Sequence, residues 1–218
     1  MQPTLPQQLY LLCYTVDKGK FELTNLQGRG QLLRAAALHE LARSGLLQVQ
    51  GRKVRQTGTE PKGDDFLADV WRDLPADRPK GWLSFVHNKA HTAEKPVRTQ
   101  LAATGAITVE HEKKLGVLPI DRIHVQDPQQ VLALQQRVRE AVFKNTGPAS
   151  TPDDELAMAV FAAEAEVTSV FTSKERREHK PTLKALAAYY DEQAVPGLRK
   201  ALRDSYLSSR AVGGGWGA

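Results

Sequence analysis

At 218 residues with 41% apolar side chains, the chain is long enough for one sizeable packed core or two small ones, and global disorder is excluded. Its single cysteine, Cys13, excludes an intramolecular disulfide and any zinc site built on several thiolates. The net charge of +5 is a mild basic excess that suits an anionic lipid or a nucleic acid without demanding either, and no apolar run approaches the ~18 residues of a membrane span.

In chain order, the apolar run 9–16 predicts a buried strand with Cys13 as a small hydrophobe inside it. A turn at Asp17-Lys18-Gly19 leads to a second short strand over 20–23. The segment Gln27-Gly28-Arg29-Gly30 reads as a loop opening a helix over 31–44, which Gly45 stops. Strands at 46–49 and 53–57 flank Gln50-Gly51 as a two-residue hairpin. After a polar linker at 59–63, Asp64-Asp65 start a helix through Leu67, Val70, Trp71 and Leu74, where acids suit the positive end of the dipole.

Residues 75–80 break that helix. A short helix at 82–90 follows, and Pro96 lies early in another that runs to Thr104 and stops at Gly105. Strands at 106–109 and 115–120 predict a second hairpin around the charged turn 110–114. Asp127-Pro128 and Thr151-Pro152-Asp153-Asp154 are capped helix starts. Behind them run two apolar stripes, Val131, Leu134, Val138 and Val142, then Leu156, Val160, Ala163, Val167 and Phe171. An exposed charged stretch at 173–180 precedes two last helices, after Pro181 and Pro196. The expected organisation is one mainly α domain over 1–212 with protruding β-hairpins and a mobile glycine-rich tail over 213–218.

The pattern L-A-x-x-G-x-(L/I)-x-V occurs at 41–49 and again at 101–109. It describes a helix, a glycine stop and a strand entering a hairpin. Two such units could pack as a pseudo-repeat, or the pattern could be no more than a common connection.

Signals of catalysis are missing. The chain has no G-x-S-x-G elbow, no phosphate-loop signature and no strand-led G-x-G-x-x-G, so neither enzyme activity nor a cofactor is expected. His87 and His91 stand at metal-ligand spacing, but Asn88 occupies the place of a metalloprotease glutamate, and they read as surface histidines. The informative residue is Arg34. Around a helix it falls between Leu41 and Leu38 inside the apolar arc, where burial and the nearby N-terminal dipole both oppose a cation. Something negative must compensate: either a buried carboxylate of the chain itself or an external anion.

The stretch 30–47, GQLLRAAALHELARSGLL, resembles the signature of the Golgi phosphoprotein 3-like family, an L-R-x-x-x-L-x-E-L-A helix running through glycine into a hairpin. The turn at 17–21 and the segment 101–109 look like further family elements. The resemblance implies a single mainly α-helical fold with protruding β-hairpins. Eukaryotic members bind phosphatidylinositol 4-phosphate at the Golgi membrane and retain glycosyltransferases there by their cytoplasmic tails. Arg34 matches the family's lipid-binding arginine. The chain departs from the pattern at Asn25, where a tryptophan is expected, and at His91 and Glu94, where two arginines are expected. Lys95 and Arg98 stand nearby as substitutes. The absence of a basic leader fits a compact bacterial, actinobacterial-type member.

The resulting expectation is a cytoplasmic protein, peripheral at the cytoplasmic face of a membrane. It would bind a phosphoinositide-type headgroup through Arg34, His91, Lys95 and Arg98, and tails of membrane enzymes as an adaptor. Leu115, Val117 and Leu118 on the second hairpin would insert into the membrane or join copies of the chain, unless that hairpin folds onto its own core. Two rival readings are a winged-helix-like nucleic-acid binder and a protein-interaction scaffold without lipid binding.

Overall fold

The computed structural model describes residues 3–22, 26–114, 118–144 and 147–213, without the side chains of 26–27, 111–114, 118–120 and 211–213. Among the described residues the protein is mainly helical, with ten α-helices and three small antiparallel sheets.

The chain opens with a helix, α1 (Leu5–Leu12), where a strand was expected. A fully apolar run carries no period, so it serves a buried helix as well as a buried strand. Local chemistry decides: Gln7 accepts from the backbone of Thr4, Pro6 lies in the first turn, and Glu40 accepts from the Leu5 N–H. Leu9, Tyr10, Leu12 and Cys13 are completely buried. A small sheet follows, β1 (Tyr14–Thr15) against β2 (Lys20–Phe21).

The central element is α2 (Leu26–Arg43), and every residue from 28 to 39 is buried. A helix buried on all sides is a core helix. It cannot lie in a nucleic-acid groove, which removes the first of the two helix–hairpin units that the winged-helix reading offered as a recognition element. The Gly28-Arg29-Gly30 segment, expected as a loop, lies inside this helix. A Cβ at Gly28 would sit 2.2 Å from the Tyr206 ring, and one at Gly30 would sit 1.9 Å from the carbonyl oxygen of Ala90. The glycines are there for close approach.

The first hairpin pairs β3 (Leu47–Gln50) with β4 (Lys53–Gln56), and β5 (Lys80–Gly81) adds a third strand. Gln50 opposes Lys53, so the turn is Gly51-Arg52, one residue later than expected. Asp64 caps α3 (Asp65–Arg72) by accepting from the Leu67 N–H at 2.9 Å. Next come α4 (Trp82–His87), a 3-10 turn over Ala90–Thr92, and α5 (Glu94–Ala103).

The second hairpin is longer than expected. β6 (Ile107–Lys114) pairs with β7 (Leu118–Val125) from Ile107 opposite Val125 to Lys114 opposite Leu118. Residues 110–114, expected as the turn, continue the strand. Cross-strand pairs such as Glu110 opposite Arg122 give a polar segment a reason to stay in the ladder. Leu115 and Val117 lie outside the described residues, and Leu118 opens β7 with its side chain undescribed.

The remainder is helical: α6 (Pro128–Phe143), α7 (Asp153–Glu164), α8 (Ser173–Glu178), α9 (Lys180–Gln193) and α10 (Leu198–Gly213). Of the expected tail, Gly213 ends α10 and 214–218 lie outside the described residues.

The two copies of the sequence echo share one turn. Gly45 and Gly105 have φ of +72° and +74°. Leu46 donates to the Leu41 carbonyl and Ala106 to the Leu101 carbonyl, both at 2.9 Å. A third copy closes α7, where Val167 donates to Ala162 at 2.9 Å with Glu166 at φ +52°. The hairpins after the first two copies belong to separate sheets. The echo is therefore a helix-ending turn used repeatedly.

Candidate functional site

Arg34 sits halfway along α2 and is only 3% exposed. Its Nε donates to the Phe85 carbonyl near the end of α4 at 2.5 Å, and its Nη2 to Asp73, just past α3, at 3.0 Å. Of the two ways to compensate this cation, the chain supplies the internal carboxylate. Burial lowers the Arg34 pKa and the Asp73 carboxylate counters that shift. Such a group stays protonated at any physiological pH.

Asp73 serves a second cation, accepting from Lys89 Nζ at 2.5 Å with its other oxygen. Lys89 has a left-handed backbone, φ +58°, between α4 and the 3-10 turn. That turn is clamped against α2 at Gly30, so the clamp also positions Lys89.

These groups border a cavity of about 650 Å³ between α2, α3, the 3-10 turn and α5. Its cations are Arg34, Arg72, Lys89 and Lys95, and its acids are Asp65, Asp69 and Asp73. Arg72 is held by Glu60 and Asp69. Lys95 is exposed and has no carboxylate partner among the described residues. Arg34 Nη1 makes no hydrogen bond to a described residue. Two acids, Asp73 and the exposed Asp65, thus stand against three cations, Arg34, Lys89 and Lys95, a surplus of one positive charge. The arrangement can accept one further anionic group.

The four expected headgroup residues do not converge. Arg34 and Lys95 line the same cavity. His91 is exposed and borders a different cavity of about 420 Å³ with His87 and Glu94, on the other side of the 3-10 turn. Arg98 pairs with Asp121 of β7 at 3.4 Å. His87 Nδ1 bonds the Ser205 hydroxyl at 3.0 Å, and no cluster of metal-ligating side chains occurs among the described residues.

Sequence reasoning missed Asp73 and Lys89, which lie 39 and 55 positions from Arg34. It also missed Arg29, five residues before Arg34 on the same helix and equally buried. Arg29 Nη1 reaches Glu94 at 3.0 Å, Nη2 reaches the Glu22 carbonyl at 2.5 Å, and the guanidinium lies 5.4 Å from the Phe21 ring centre. Glu94, the acid that looked out of place in a phosphate pocket, is the counter-ion of Arg29.

The sequence model of the family described as Golgi phosphoprotein 3 (GPP34) matches residues 5–205. No curated protein matches the chain.

Proposed function

Because the chain belongs to the Golgi phosphoprotein 3 (GPP34) family, we propose that it is a peripheral membrane-binding protein, not an enzyme, which holds a phosphate-bearing lipid headgroup in the cavity beneath Arg34. No helix among the described residues is long and apolar enough to cross a membrane, so membrane contact in this reading is superficial.

The observation that carries the proposal is the surplus of cations at that cavity. A headgroup phosphate would take the unused Nη1 edge of Arg34 together with Lys95 and Lys89, while Asp73 keeps its grip on the other edge of the guanidinium. Arg34 is then an anchor whose fork is already oriented, and the two lysines supply charge from the rim. The pocket differs from the family's at Asn25, which lies outside the described residues, at His91, which borders the neighbouring cavity, and at Glu94, which Arg29 engages. These departures support a bacterial-type member that reads phosphate charge more than the pattern of phosphatidylinositol 4-phosphate. An adaptor role toward tails of membrane enzymes belongs to the same reading, and co-purification of a membrane enzyme tests it.

A vesicle panel tests the lipid reading. The protein is expected to sediment with phosphatidylcholine vesicles that carry phosphatidylinositol 4-phosphate or phosphatidylglycerol, and to remain in the supernatant with phosphatidylcholine alone. Equal sedimentation with all three, or with none, overturns the proposal.

A further inference from the structure

A larger charge imbalance than that beside Arg34 lies elsewhere in the fold. A second, open cavity of about 670 Å³ is bordered by α7, α8, α9 and α10. Six cations border it, Arg176, Arg177, Lys180, Lys184, Arg199 and Arg203, against two acids, Glu164 and Glu166. Its volume is that of an ordinary ligand pocket, and Val160 and Leu183 give it an apolar floor.

Both acids are already engaged. Glu164 pairs with Arg199 at 2.5 Å and with Arg203 at 3.4 Å, and Asp191 adds a second carboxylate to Arg199 at 2.6 Å. Glu166 pairs with Arg210 at 2.5 Å. Arg176 is oriented without any acid, its Nη1 on the Phe171 carbonyl at 2.8 Å and its Nη2 near the Ser173 hydroxyl at 3.3 Å. Arg177, Lys180 and Lys184 have no carboxylate partner among the described residues. Four cations therefore share one concave, partly apolar space whose two carboxylates are paired with other arginines. Low-dielectric walls focus such a field, and a guest with more than one negative charge relieves the mutual repulsion.

The geometry points to a second anion site, built by helices other than those of the Arg34 cavity, which takes a doubly charged phosphate: a phosphoanhydride in solution or a phosphate monoester headgroup. Arg176 offers a fixed planar fork, and Arg177, Lys180 and Lys184 close the rim around the charge. The apolar floor accepts the uncharged body of the ligand.

Calorimetric titration of the full chain with inorganic pyrophosphate tests the site. Lys180→Gln with Lys184→Gln is expected to weaken binding about tenfold, whereas Lys53→Gln with Lys62→Gln, an equal loss of charge away from the cavities, changes it less than about twofold. Both members of each pair are exposed, and Arg177→Gln on α8 provides an independent loss if the double variant is poorly folded. A second arm sediments the protein with phosphatidylcholine vesicles carrying phosphatidic acid. Displacement from those vesicles by pyrophosphate assigns a headgroup ligand, and pyrophosphate binding without vesicle binding assigns a soluble one. Equal effects of the two double variants, or no response to either probe, overturns the site.

Discussion

Two arginines on α2, five residues apart, have opposite surroundings. Arg29 and Arg34 are each 3% exposed, and each has found a carboxylate of the protein. Around Arg29 the structure is closed: both Nη atoms are bonded and the guanidinium lies against Tyr10 and Phe21. Around Arg34 it is less closed, because this arginine lines a cavity that two lysines share. A buried cation by itself therefore does not mark a binding site. What separates the two is that Arg34 lines a space in which charge is left over, whereas Arg29, whose Nε is buried without a partner, lines none of the three cavities.

The closed region should react to mutation through stability alone. Arg29→Ala leaves Glu94 without its partner and should lower unfolding stability by about 3 kcal/mol, with vesicle binding of the folded fraction unchanged. Loss of vesicle binding at intact stability would erase the distinction. Chemical denaturation alongside sedimentation reads both quantities.

His39, also enclosed on α2, sharpens the contrast through pH. Burial, aided by nearby Arg43, pushes its pKa down from 6.5 to about 4, and its Nδ1 lies 2.8 Å from the Tyr190 hydroxyl. The folded state favours neutral imidazole, so the unfolded chain binds more protons between these two values. The contribution is fully present above pH 6.5 and disappears as pH falls toward about 4, a loss of roughly 3 kcal/mol. His39→Gln should flatten this part of the stability profile, and an unaltered profile would assign the pH response elsewhere.

Arg34→Ala is expected to act on both quantities. It removes two hydrogen bonds but leaves Asp73 paired with Lys89, so stability should drop by about 2 kcal/mol, less than for Arg29→Ala. Vesicle binding should fall with it. A stability loss without a binding loss would move Arg34 into the same class as Arg29.

Much of the framework was legible in the sequence because its determinants are local. Asp64 and Asp127 cap the helices they were expected to start, and Gly45 and Gly105 stop theirs with the same turn. The position of Arg34 inside an apolar arc was enough to predict burial and a negative partner. What could not be read depends on distant chain. Gly28 and Gly30 looked like a loop because the atoms that require them, in Tyr206 and Ala90, come from elsewhere in the fold. The run at 9–16 lacked a period that could separate helix from strand. Asp73 and Lys89 carried no local signal, and Glu94 looked like an objection until Arg29 was seen beside it.

The most direct test spares the core. Lys89→Gln combined with Lys95→Gln removes two exposed rim charges and leaves Arg34 bonded to Asp73 and Phe85, so thermal stability should hardly change. Sedimentation of this double variant with phosphatidylcholine vesicles carrying phosphatidylinositol 4-phosphate should show affinity reduced about thirtyfold, roughly 1 kcal/mol for each lysine. Undiminished binding would mean that the charge around Arg34 serves the fold and that the membrane is met by another surface.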